Sequence, residues 1–106
     1  MGLSQARTQF FEIRQKCQVI VRNHAFRGHP ERGFSKQELI RLVKTGKGRF
    51  TENDSEQAIE NSYLFFPTDE EGRECKLVIL IEEVEIEGEG SSQKETVIVC
   101  SAYREV

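Results

Sequence analysis

Residues 77–103 read LVILIEEVEIEGEGSSQKETVIVCSAY, and this stretch decides the fold class. Leu77 to Ile81 is apolar without alternation, as a strand covered on both faces requires. From Val84 the apolar residues alternate with glutamates, so one face there comes out into water. Residues 88–93, GEGSSQ, carry turn chemistry, and residues 96–103, TVIVCSAY, are again β-branched and apolar. Two strands and a turn make an antiparallel hairpin.

Working back from the hairpin, residues 62–67 (SYLFFP) form a strand ended by Pro67 and the turn TDEEGR, and residues 50–53 form a short one. The first half is helical. Residues 4–16 place Phe10, Ile13 and Cys17 on one stripe, with Ser4 as an N-cap. Residues 18–22 are a short β-like run. Ser35-Lys-Gln-Glu38 is a capping box, Phe34 and Leu39 are placed as a hydrophobic staple, and Gly46 ends the helix. Residues 45–50, TGKGRF, follow a helix and lack the GK[ST] ending of a phosphate loop, so they read as a basic turn. The expectation is a single α+β domain over residues 1–106. Its N-terminal helices would pack on one face of a three- to four-stranded antiparallel sheet.

The 106 residues suffice for one hydrophobic core; 37% are hydrophobic and 31% charged. No apolar run reaches the roughly 20 residues of a membrane span and the first residues have no apolar signal core, which reads as a cytoplasmic chain with no membrane partner. Cys17, Cys75 and Cys100 are odd in number and widely spaced, which fits a reducing compartment better than a disulfide framework, and Cys75 and Cys100 read as small buried hydrophobes.

Net charge is −3 but unevenly spread. Residues 1–50 hold 11 Lys and Arg against 3 acidic residues, whereas residues 51–106 hold 4 against 15. A chain polarised in this way can offer a basic face to a polyanion despite its acidic balance. The competing reading is that the halves fold together and their charges cancel.

Residues 24–39, HAFRGHPERGFSKQEL, followed by a basic helix, a β-meander and the closing AYRE, resemble a small bacterial domain family with the pattern His-Ala-x-x-Arg-x-x-x-Arg-Gly. That family is grouped with the BrnT and RelE type toxins. The resemblance implies a RelE-like fold, RNA as substrate or ligand, an antitoxin-like protein partner and a metal-independent endoribonuclease activity without cofactor. His24 matches the family histidine, Arg32 and Gly33 the Arg-Gly pair, Ser35 the helix cap, and Tyr103 with Arg104 the terminal pair. Gly28 stands where the pattern has its first arginine, and Arg27 precedes it by one position. His29-Pro30 interrupts helical geometry, so two separate turns are expected at 24–28 and 30–33.

In such a site His24 would move the proton, Arg32 with Arg27 or Arg104 would hold phosphoryl oxygens, and Tyr103 would orient or protonate. Arg27, Lys44, Lys47 and Arg49 would carry the RNA backbone. The rival reading is a non-catalytic protein-interaction module on the same fold. A weaker third places a metal among Cys17, His24 and His29, although no fourth ligand stands at a standard spacing.

Overall fold

The computed structural model describes residues 2–26, 33–53, 62–85 and 93–104. Helix α1 covers Leu3–Ile13, strand β1 Gln18–Val21, the single turn α2 Asn23–Phe26 and helix α3 Lys36–Thr45. Strands β2 (Gly48–Glu52), β3 (Ser62–Pro67), β4 (Cys75–Glu85) and β5 (Gln93–Arg104) follow.

The sheet corrects the expectation of three or four antiparallel strands. It has five, in the order β1-β5-β4-β3-β2, and it is mixed, because β1 lies parallel to β5 with Val19 beside Val97 and Val21 beside Val99. A parallel neighbour is separated from its partner by a long crossover, so no turn signal near residues 18–21 announces it. The other three pairings are antiparallel, and the β4–β5 pairing runs from Cys75 to Glu85.

The helices pack on one face of the sheet, the near face. Ala6 and Phe10 from α1 and Leu39, Leu42 and Val43 from α3 join Val21, Phe50, Phe65, Leu77, Ile79, Val97, Val99 and Ala102 from the strands in one core. The Phe10 ring lies 4.8 Å from Phe65 and 5.2 Å from Phe50, centroid to centroid. Burying a side chain of this size contributes about 1.5–3 kcal/mol. The run Leu77 to Ile81 serves both faces, as its lack of alternation requires: Leu77 and Ile79 enter this core, while Leu80 joins Ile98 and Cys100 on the far face. All three cysteines are buried free thiols.

At α3, Ser35 Oγ accepts from the Glu38 amide at 3.1 Å, and Phe34 and Leu39 are both buried. Gly46 ends the helix through close approach and not through a left-handed turn. Its φ is −64°, and a Cβ there would lie 2.4 Å from the Leu42 carbonyl oxygen and 2.7 Å from Pro67.

Much of the basic excess of the first half is consumed by the fold. Lys44 Nζ donates to the carbonyls of Gln15 and Cys17, Arg14 donates to the Gly46 carbonyl, and Arg7 donates to the Phe50 carbonyl. Arg14 and Lys44 thereby serve the carbonyl-rich ends of α3 and α1, where helices are negative. Arg41 with Glu70, Arg49 with Glu74, and Arg104 with Glu38 tie one half of the chain to the other. The cancelling reading of the charge asymmetry therefore holds for these residues.

Candidate nucleic-acid interface

A β-bulge decides which residues of β5 face which way. Ser101 pairs with Val78 and Val99 with Ile79, leaving Cys100 as the extra residue. A bulge puts two residues of one strand opposite one of its neighbour and so reverses the alternation beyond it. Ala102 and Arg104 then share the near face with Leu77 and Cys75, and Tyr103 turns to the far face opposite Lys76.

Arg104 is enclosed on the near face. Its Nη1 donates to Asp69 Oδ2 at 2.7 Å, and its Nη2 donates to Glu38 Oε1 at 2.7 Å and to the Gly33 carbonyl at 3.2 Å. Its guanidinium carbon stands 4.2 Å from the centre of the Phe34 ring. Gly33 takes φ +71°, a conformation open to glycine at little cost, and this lets the chain enter α3 with its carbonyl aimed at the arginine. One side chain thus joins the end of β5, the start of α3 and the β3–β4 turn. Its fork already holds two carboxylates, the geometry for which the resemblance implied a phosphate.

Asp69 is the buried partner, its side chain only 3% exposed. Its Oδ1 accepts from the amides of Glu71 and Arg73, both at 2.9 Å. The Arg73 amide, then the Glu71 amide and the charges of Arg73 and Arg104, hold its pKa below the ordinary carboxylate value against the opposing effect of burial. A carboxylate with a depressed folded pKa stabilises the fold above its unfolded pKa of about 4 and loses that contribution as pH falls through the folded value. Thermal unfolding followed from pH 7 down to about pH 3 is expected to show the melting temperature dropping below about pH 4, and the drop is expected to be shallower in Asp69→Asn.

The far face carries a different arrangement. Arg49 on β2 is opposite Phe66 on β3, and Lys76 on β4 is opposite Tyr103 on β5. Phe65 faces Leu77 and Thr68 bridges Glu74, which sets Phe66 across from Lys76. The four form one cross-strand row in the order Arg49, Phe66, Lys76, Tyr103. Arg49 lies 4.3 Å from the Phe66 ring centre and Lys76 Nζ lies 4.7 Å from that of Tyr103, both within cation–π reach. The Lys47 carbonyl accepts from the Thr68 amide, continuing the pairing one residue before β2. The pleat puts Lys47 on the side of Arg49. Arg49 also donates to Glu74 at 3.1 Å, in an exposed pair.

The sequence-derived site residues are therefore dispersed. Lys47, Arg49 and Tyr103 meet at this row; Arg104 is on the opposite face, and Lys44 is bound to carbonyls at the end of α1. His24 is placed by its backbone in α2, which packs against β5. Arg27, His29 and Arg32, with residues 30–32 of the turn expected at 30–33, lie outside the described residues. Cys17 is buried with its Sγ donating to the Arg14 carbonyl at 3.5 Å, and burial raises the pKa of its thiol. Sequence reading missed Phe66 and Lys76. The alternation of SYLFFP around buried Phe65 was the available signal for Phe66, but only the strand order brings it beside Lys76.

No family model, curated protein or solved structure matches the chain. No helix among the described residues is long and apolar enough to cross a membrane.

Proposed function

We propose that this domain binds RNA through the far face of its sheet, at the row Arg49, Phe66, Lys76 and Tyr103. The observation that carries the reading is the alternation of cation and aromatic ring across four adjacent strands. Proteins that bind single strands without reading sequence combine cations for phosphates with rings on which bases stack, each stacked base contributing about 1–3 kcal/mol. Here each ring already carries its own cation. A base that takes the ring face releases that cation to a phosphate.

This reading keeps the RNA ligand implied by the resemblance to toxin domains and shifts its location. Arg104, enclosed by Asp69 and Glu38, becomes a positioning residue that fixes the strand end bearing Tyr103. Strand cleavage, the activity that the resemblance implies, is not needed for it, and neither is an antitoxin-like partner.

Phosphate contacts set the salt dependence of binding. Fluorescence anisotropy of a labelled single-stranded oligoribonucleotide, measured between roughly 50 and 200 mM salt, tests the row. Lys76→Ala is expected to weaken binding at all salt concentrations and to reduce the slope of log affinity against log salt by about 1. Lys36→Ala, at an exposed position at the start of α3, serves as the control and is expected to leave both unchanged. An unchanged slope in Lys76→Ala would remove Lys76 from the interface.

A further inference from the structure

Resting on that reading, the geometry points to a narrower ligand: a single strand whose adjacent bases are splayed apart, one on Phe66 and one on Tyr103, with the phosphate between them at Lys76. Phe66 and Tyr103 stand on β3 and β5, and β4 runs between them. Neighbouring strands are about 4.8 Å apart, so the two side chains arise about 10 Å apart. Bases stacked in a helix follow one another at about 3.4 Å, a third of that separation. Two bases still stacked on each other cannot occupy both rings. An extended step between neighbouring nucleotides can cover about that distance, and it carries its phosphate near the midpoint, where Lys76 projects from β4.

The consequence is selection by stacking state. A duplex offers no splayed step and its bases are not free to reach a ring. Among single strands, oligoadenylate must break its own stacking before it binds, whereas oligouridylate, which stacks weakly, need not. Arg49 and Lys47 at the β2 edge continue the path beyond Phe66 for the next phosphate.

The test uses three probes of equal length: a ten-nucleotide oligouridylate, a ten-nucleotide oligoadenylate, and a ten-base-pair RNA duplex. They are titrated against the wild-type chain and against Tyr103→Phe and Tyr103→Ala. The oligouridylate is expected to bind about tenfold tighter than the oligoadenylate and at least about tenfold tighter than the duplex. Warming is expected to narrow the uridylate preference as adenylate stacking melts. Tyr103→Phe should keep the preference, and Tyr103→Ala should lose most of it. Equal affinities for the oligouridylate and the oligoadenylate, with binding still weakened by Tyr103→Ala, would overturn the splayed step while leaving RNA binding at the row intact. Absence of binding to all three at low salt would overturn both.

Discussion

Arg104→Met is expected to lower the melting temperature by on the order of 10 °C. The methionine keeps much of the aliphatic stem, so the loss is that of the guanidinium: its ion pairs and its place over the Phe34 ring. Without the guanidinium, the carboxylates of Asp69 and Glu38 that it joined at 2.7 Å keep their charges and lose their shared counter-ion. Removing one member of a largely buried ion pair costs far more than the pair contributes, because the remaining charges keep only partial compensation, here from Arg73 beside Asp69 and from Arg41 at 4.0 Å from Glu38. Arg104→Lys should recover part of the loss: it restores a charge but not a fork able to serve two acids and a carbonyl together. The effect should also be non-additive. Asp69→Asn removes the more deeply buried of the two carboxylate charges, so Arg104→Met in that background is expected to be milder than in the wild type, as measured by a thermal double-mutant cycle.

The same arginine shows how far the sequence carries. The helices, the Ser35 cap of α3 and the β4–β5 hairpin follow from local patterns and are present, although α1 is capped at Gly2 and not at Ser4, and the Glu38 carboxylate that would complete the capping box turns to Arg104. The strand order is not local. Parallel pairing of β1 with β5 joins residues near opposite ends of the chain, and four residues of QVIV hold no sign of a partner. The bulge at Cys100 is equally silent, since VIVCSAYR reads as one unbroken strand. Without it, Tyr103 would continue the near-face series of Val97 and Val99, and Arg104 would stand on the far face. Tyr103 and Arg104 cannot act as a pair on one substrate, because the pleat sends neighbours in a strand to opposite faces. The resemblance supplied residue types, and the sheet register decided which could meet.

The second large effect concerns the rings. In the double variant Phe66→Ala/Tyr103→Ala, both stacking surfaces disappear while the cations Lys47, Arg49 and Lys76 remain. Each stacked base is worth about 1–3 kcal/mol, so affinity for a single-stranded oligoribonucleotide should fall by roughly 30-fold to 20,000-fold. Neither side chain belongs to the main core, so the fold should survive the double change. The salt slope should stay near its wild-type value, because it reports phosphate contacts that are still made. That combination, affinity lost and slope kept, distinguishes lost stacking from a damaged basic surface.

Titration of labelled ten-nucleotide oligouridylate into wild-type and Phe66→Ala/Tyr103→Ala protein, with folding checked by circular dichroism, is the most direct measurement. The far-face row predicts binding by the wild type that weakens at least about 30-fold in a double variant still folded. Equal affinity in the two folded proteins would contradict it.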